Sequence, residues 1–557
     1  MNNRFFKKRF LLLFIMILAV FLRFYALGSV PNSMNADEAA IGYNAYSILK
    51  TGRDEYGKIF PLLFQSFDDF KPPVYIYFTV PSVAVFGLRD MSVRLPSAVF
   101  GTLTVLATYF LVDALLGNSV IALLSALLLA ISPWHLQFSR SAYESNLAVF
   151  FIVVGIIFLL RGLKQSILYV PAFLLLSLSV WTYHSSRVFI PLLIVVFTVI
   201  YFQEIRKKIK LYLLGFVLFM ILCIPLLIMS LSSEGIVRAR GVSALDNDEL
   251  MSRNTKWIQR DEEYHFSFSH IYHNFRFVNF LIILKGYLEH FNPNFFFSEF
   301  VQGKYHAPGV SLMYLWELPF LVYGVHMMAN KKGREKYLLF AWLLLAPLAA
   351  APTRNLPHPV RTLTFLPVIQ IITSYGIYEL QSRIHSMKKI FQKCAIGLFI
   401  ITVLLSVMYY LHQYYIHGPI DFAKDWQYGN EQTVKTANLM DDKFDKVVVS
   451  TSIDVPYMFF LYYLRYDPLK YLASGGTKSG KFDEERNVFD KYEFHKYIKS
   501  DSIINPRVLY IGLPKEVLPG AERLVTIKYP SGEDAYVISA EISKKDWNDA
   551  GNLPYLK

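Results

Sequence analysis

Cysteine is almost missing from this chain. Its two copies, Cys223 and Cys394, both lie inside apolar runs, which leaves no disulfide framework and no thiolate metal site to build on. No Cys/His cluster has zinc spacing. Glycine-rich phosphate loops are absent as well. SGGTKSG, at 474–480, lacks the full Walker spacing and no strand leads into it, so it reads as a flexible loop. No small-residue cleavage site follows the basic start MNNRFFKKRF and its apolar run. The segment therefore reads as a retained first spanning helix, not a removed signal.

Apolar and aromatic residues are abundant. Hydrophobic residues make up 54% of the chain and mean hydropathy is +0.34, above the roughly 45–50% apolar share of soluble proteins. Phe occurs 46 times and Tyr 37 times, and Tyr favours membrane interfaces. The net charge of +13 reads as cytoplasmic loops of a membrane protein, with no nucleic-acid partner.

Candidate spans fall at 10–29, 92–115, 119–138, 146–161, 167–182, 188–203, 211–231, 311–329, 337–350, 362–381 and 394–412. The run 74–88 is short and holds Pro81. Basic clusters decide its placement: Arg4/Lys7/Lys8/Arg9, Arg161/Lys164, Arg206/Lys207/Lys208/Lys210, Lys331/Lys332/Arg334/Lys336 and Arg383/Lys388/Lys389/Lys393. All fall on the cytoplasmic side only if 74–88 does not span. The expectation is a mainly α, polytopic membrane protein with about eleven spans, N-in and C-out. A transmembrane domain would cover 1–412, with outer loops at 30–91 and 232–310. Residues 413–557 carry strand-like runs (DKVVVSTS, PRVLYIGL, RLVTIKY, DAYVISA) and read as a soluble extracytoplasmic α/β domain.

This topology puts the unusual polar residues on one face. NADEAAIGYNAY, at 35–46, sets Asp37 and Glu38 directly after the first span, where ionisable groups are costly and suggest function. An ordinary reading exists too: Asn35 as N-cap, the acids in the first helical turn, Glu38 at capping-box spacing. Ile41, Ala45, Ile48 and Leu49 then give the helix an apolar face for lying on the membrane, and Thr51-Gly52 ends it. Asp68 and Asp69 read as solvated or as a cation pair. Lys71 precedes two prolines, Arg94 opens the second span, and Arg140, Tyr143 and Glu144 crowd a short loop. Arg354, His358 and Arg361 precede a helix whose start faces outward, which makes an anion site or a lipid anchor.

Together these are acids (Asp37, Glu38, Glu144) and bases (Lys71, Arg94, Arg140, Arg354, His358, Arg361) at helix ends and juxtamembrane loops. Carboxylates facing cations at membrane level suit a lipid-linked phosphate donor. The cations would hold the phosphate, and a carboxylate would take a proton from an acceptor hydroxyl.

The stretches NADEAAIGYNAY, FKPPVYIYF with SVRLPSAVFGTLTVLATY, SPWHLQFSRSAYESNLAVFF and PHPVRTLTFLP resemble the GT-C superfamily of polyprenyl-phosphate-sugar-dependent glycosyltransferases. The likeness is to the branch of protein O-mannosyltransferases and aminoarabinose transferases. It covers the first 200 residues well and the later helices more loosely; WELPFLVYGV and DWQYGNEQTV look like bacterial members. The resemblance implies Asp37 as catalytic base, with Glu38 orienting the acceptor or supporting the base. It implies donor-phosphate contacts from Lys71, Arg94 and the His358/Arg361 loop. It further implies an inverting displacement at the anomeric carbon, with a glycan, lipid or protein acceptor, no metal, and the bilayer as partner. One departure is Glu144, where the family often carries Asp. Two other readings are a flippase for lipid-linked sugars and a receptor or assembly scaffold. The first would show mid-membrane charges and an internal repeat, and neither is seen; the second has no use for Asp37-Glu38 near Lys71.

Overall fold

The computed structural model describes residues 2–67, 69–232, 235, 241–245, 248–298, 303–384, 388–481, 483–496 and 507–540. Asp68 lies outside the described residues. The chain is mainly helical, with a mixed sheet in its last third. It divides into two compact units. One joins Met1–Tyr25, Ser97–Ser139 and Tyr143–Leu411; the other joins Ala26–Pro96, Arg140–Ala142 and His412–Lys557.

Among the described residues, five helices are long and apolar enough to cross a membrane: Asp90–Leu116, Glu144–Gly162, Ile209–Ser230, Leu363–Arg383 and Lys389–Asp421. A sixth arises if Ser119–Ile131 and Pro133–Ser139, bent by 60°, count as one span. The chain is an integral membrane protein. Several expected spans are shorter helices, such as Tyr169–Thr182 with 14 residues and Glu335–Leu345 with 11.

The first unit packs its helices through small residues, which suits a medium where apolar side chains gain little by pairing. A Cβ on Gly324 would lie 2.1 Å from the Ile372 carbonyl oxygen, and one on Gly376 would lie 2.1 Å from that of Phe320. The helices Glu317–Asn330 and Val368–Ile384 therefore touch backbone to backbone. The bend after Ile131 leaves terminal carbonyls without helical partners. Arg23, fully buried, meets them: its guanidinium donates to the carbonyls of Leu129 (3.2 Å) and Ala130 (3.1 Å) and lies 2.7 Å from His135 Nδ1. The charge that interrupts the first apolar run is thus a cap for a broken helix.

The second unit holds a five-stranded sheet in the order β4-β3-β5-β7-β6: β3 Lys446–Ser450, β4 Tyr492–His495, β5 Val508–Gly512, β6 Glu522–Lys528, β7 Asp534–Ala540. Strand β3 runs parallel to both neighbours, while β5–β7 and β6–β7 are antiparallel. Parallel strands covered on both faces read as unbroken apolar runs, as KVVVS and VLYIG do. A small hairpin pairs β1 (Phe64–Ser66) with β2 (Asp69–Lys71) in the register Phe64↔Lys71.

Ala36–Thr51 is the central helix of this unit. It packs on the helices Pro456–Tyr463 and Pro468–Ala473. Of the apolar face expected to lie on the membrane, Ile41, Ala45 and Ile48 are covered by protein instead, while Leu49 stays 39% exposed. Gly42 allows this approach: a Cβ there would stand 2.6 Å from the Tyr462 ring and 2.7 Å from Val93.

Candidate active site

The start of Ala36–Thr51 fixes the first two site residues. Asn35 is extended and its side chain accepts from the Glu38 N–H at 2.9 Å. Gly52, at φ +69°, ends the helix by donating to the Ile48 carbonyl. The expected capping box is one-sided, because the Glu38 side chain turns inward rather than back to Asn35.

One turn of helix therefore presents its two carboxylates to opposite environments. Asp37 is 60% exposed and Glu38 2%. Lys71, at the end of β2, places its ammonium 2.6 Å from Asp37 Oδ1 with only 10% of its own side chain exposed. The hairpin and the prolines after it set this position, since Pro72 and Pro73 restrict the chain on leaving the strand.

Glu38 meets a fork. Arg94 Nε donates to Oε1 at 3.1 Å and Nη2 to Oε2 at 3.0 Å, while the Ala142 N–H donates to Oε1 at 2.8 Å. The remaining Arg94 N–H groups go to the carbonyls of Leu27, Pro31 and Ser33. All five donors of a fully buried guanidinium are thus engaged. Arg140 is similar. It donates to Tyr414 Oη at 3.1 Å and the Val30 carbonyl at 3.1 Å, and lies 5.1 Å from the ring centres of both Tyr414 and Tyr415. The donor-phosphate role expected of Arg94 and Arg140 does not fit this geometry, because both guanidiniums are shut from solvent and committed to protein acceptors. They pin the 26–33 loop and Glu38.

Glu144, Arg354, His358 and Arg361 belong to the other unit. Glu144 is partly exposed in the first turn of Glu144–Gly162, where an acid favours the helix dipole. Arg361 donates to Thr353 Oγ1 at 2.6 Å and to the Arg354 carbonyl at 2.7 Å. The exposed Arg354 donates to the Ser243 carbonyl at 2.7 Å. His358 packs against Tyr305, and its backbone N–H donates to His290 Nε2 at 3.1 Å. Burial, then the cations of Arg361 and Lys304, push the His358 imidazole down to about 3. The three cations expected of this loop reduce to two. The following helix begins only at Val368, after a 3-10 turn at Leu363–Phe365, so the cations do not sit on its first turn. Among the described residues, no three of His, Cys, Asp or Glu come together to hold a metal ion.

Two residues escape a sequence reading. Glu55, fully buried, accepts from Asn44 Nδ2 (2.9 Å), Thr477 Oγ1 (2.7 Å) and Tyr457 Oη (3.4 Å). Thr477 comes from the SGGTKSG loop, which is thereby tied down. Gln427 Oε1 accepts from the Ala36 N–H at 2.7 Å. The likeness of DWQYGNEQTV to bacterial members is the only sequence signal for it.

Comparison with known proteins agrees with this architecture. A family model described as dolichyl-phosphate-mannose-protein mannosyltransferase matches residues 70–229. YycA of Bacillus subtilis (strain 168), an inferred mannosyltransferase, is 29% identical over 152 residues, which is 27% of this chain and 22% of that protein. The chain thus spans about a fifth of that curated relative's length. The crystal structure of ArnT from Cupriavidus metallidurans bound to undecaprenyl phosphate is similar with a TM-score of 0.53 and 13% identity, over 96% of this chain and 98% of ArnT. The archaeal oligosaccharyltransferase AglB from Archaeoglobus fulgidus, in complex with an inhibitory peptide and a dolichol-phosphate, is similar with a TM-score of 0.50 and 13% identity, over 83% of this chain and 64% of AglB. The fold is that of a helical membrane protein with a sheet-bearing carboxy-terminal stretch. The chain is thus similar in fold to ArnT and AglB, and its residues 70–229 match the mannosyltransferase model.

Proposed function

We propose that this protein is an inverting glycosyltransferase that moves a hexosyl or pentosyl unit from a polyprenyl-phosphate donor to an acceptor hydroxyl. The reaction runs at the outer face of the plasma membrane, in an eleven-span, N-in/C-out arrangement. The observation that carries this reading is the exposed Asp37 carboxylate, paired with Lys71 and seated on the closed Glu38–Arg94 fork.

In the proposed reaction the acceptor oxygen attacks the anomeric carbon. Its proton passes to an Asp37 carboxylate oxygen, the bond from that carbon to the phosphate oxygen breaks, and polyprenyl phosphate leaves with the electron pair. A general acid is dispensable, because phosphate is a good leaving group. Lys71 contributes its ammonium to the donor phosphate and to the charge that develops on it. In the other unit, Arg354 and Arg361 keep the anion-binding role expected of their loop, and His358 shapes that loop as a neutral ring. Glu38 and Arg94 hold Asp37 in register.

The test is transfer of labelled mannose from undecaprenyl-phosphate mannose by the full chain in detergent, to an alkyl glycoside acceptor. Release of undecaprenyl phosphate that depends on both acceptor and Asp37 supports the reading. An Asp37→Asn enzyme that transfers at the wild-type rate sinks it.

A further inference from the structure

Helix Phe275–Glu289 is amphipathic in the wrong sense for a loop in water. One side is packed tightly into the protein. A Cβ on Gly286 would lie 2.4 Å from the Ala351 carbonyl oxygen, so backbone meets backbone there. Tyr287 Oη donates to the Leu344 carbonyl at 2.9 Å, and His290, just past the helix end, accepts from the His358 N–H at 3.1 Å. The other side carries Phe277, Phe280, Leu281, Leu284 and Leu288, all exposed, with Phe280 at 57% and Leu288 at 56%. These five fill a sector of roughly 100°, the width of an apolar stripe that normally turns inward. Arg276 and Lys285, both exposed, sit on its two edges.

Loose packing does not account for this surface. The preceding helix, Asp248–Glu263, exposes Lys256, Arg260, Glu262 and Glu263, as a helix in water does. The change comes in the connection, where Phe266, Phe268, Ile271 and Tyr272 are exposed. From there to Leu288 the outer surface is aromatic and aliphatic, a longer run than a protein keeps against water. Membrane depth supplies the reason. Leu344 lies near the end of helix Glu335–Leu345, inside the expected span 337–350, and is itself 53% exposed. Tyr287 thus ties the apolar helix to the end of a membrane span. With 15 residues the helix is about 22 Å long, too short to cross a core of about 30 Å, so it fits the bilayer surface lying flat.

We propose that Phe275–Glu289 is a membrane-seated helix. Phe277, Phe280, Leu281, Leu284 and Leu288 lie among acyl chains, and Arg276 and Lys285 extend to the phosphates of anionic lipids. The seat also sets the depth of the 351–361 loop, which leans on this helix through Ala351 and His358. That consequence rests on the reading above, in which Arg354 and Arg361 meet an anion; the seat itself does not.

The experiment uses the full chain carrying Cys223→Ala and Cys394→Ala, spin-labelled at Leu281→Cys, Leu284→Cys or Lys256→Cys, in vesicles of phosphatidylcholine and phosphatidylglycerol. Oxygen, which partitions into lipid, and a water-soluble nickel chelate serve as relaxing agents. Labels at 281 and 284 should collide severalfold more with oxygen than with the chelate, and the label at 256 the reverse. Chelate-dominated relaxation at 281 and 284 overturns the seat. So does spin–spin broadening there that disappears on dilution with unlabelled protein, which would make a second copy the occupant. No substrate enters this measurement, so its failure is separate from failure of the transferase reading. For the loop, Leu284→Glu sets a carboxylate among acyl chains. It should raise the KM for undecaprenyl-phosphate mannose in vesicles by roughly tenfold and leave the KM for water-soluble citronellyl-phosphate mannose as in the wild type. An equal rise for both donors overturns the link between seat and loop. A wild type that transfers from neither donor removes the transferase reading, with the seat still decided by the collision data.

Discussion

Asp37 and Glu38 are consecutive, yet Lys71 reaches only the first and Arg94 only the second. The Lys71 ammonium stands 2.6 Å from an Asp37 carboxylate that is 60% exposed, while Glu38 is 2% exposed. An exposed, ion-paired carboxylate can exchange its partner for substrate. Asp37→Asn should therefore lower transfer by roughly two to four orders of magnitude, the usual contribution of a positioned base, with thermal unfolding in detergent unchanged. Lys71→Met should raise donor KM and leave acceptor KM in place. Steady-state kinetics varying each substrate in turn separates the two effects.

Glu38 and Arg94 answer differently. Removing one partner of a buried pair leaves a charge without compensation, at a cost of about 3–5 kcal/mol. Arg94→Ala and Glu38→Ala should both lower the thermal midpoint sharply. Arg94→Lys should not rescue, because an ammonium brings three donors to a site that uses five, in a fixed plane. A stable Arg94→Ala protein with only a raised donor KM would return Arg94 to the phosphate-binding set.

Glu55 makes stability depend on pH. Burial raises its carboxyl from 4.5 to about 7, against hydrogen bonds from Asn44 and Thr477 that favour the charged form. The folded state therefore holds a proton that the unfolded state has released between those two values. Stability is greatest below pH 4.5 for this group and declines as pH rises to about 7, by roughly 3 kcal/mol at most. Thermal midpoints measured from pH 5 to pH 8 should fall for the wild type and change less for Glu55→Gln. Parallel curves for the two proteins would show that Glu55 is not the source.

Local features of this unit are legible in the sequence, and long-range ones are not. Asn35 as N-cap and Gly52 as terminator act within one helix and are found where expected. KVVVS, VLYIG and DAYVISA form strands inside the apolar runs that suggest them, and ERLVTIK is offset from its run by one residue. The four-residue strand β4, with its half-buried alternation, gives no comparable signal. Asp37 and Lys71 suggest function by residue type and position near a span. The inward turn of Glu38 depends on Arg94, 56 positions away, and on the Ala142 N–H, 104 away. Glu55 looks like one more loop acid until Thr477, 422 positions later, closes over it. Arg140 reads as a free cation because nothing in its own loop announces Tyr414 and Tyr415. In each case the hidden term is desolvation, which only the folded chain supplies.

Desolvation also sets the last prediction, at the 351–361 loop. His358 is held at about 3, chiefly by burial and then by Arg361, Lys304 and His290, so it is neutral throughout the physiological range. Arg361 keeps a permanent charge, steered by Thr353 Oγ1 and the Arg354 carbonyl. If the loop binds donor phosphate, the attraction comes from arginine and does not titrate. Arg361→Ala should raise donor KM by roughly tenfold, the scale of one charge-assisted hydrogen bond. His358→Gln should leave the pH profile of donor KM between pH 5.5 and 7.5 as it is in the wild type. A histidine acting as a cation would give the opposite pattern: donor KM climbing across that interval as the ring loses its proton, and a flat profile once His358 is replaced. Donor titrations at several pH values, on wild type and both variants, distinguish a neutral ring that shapes the loop from a cation that binds.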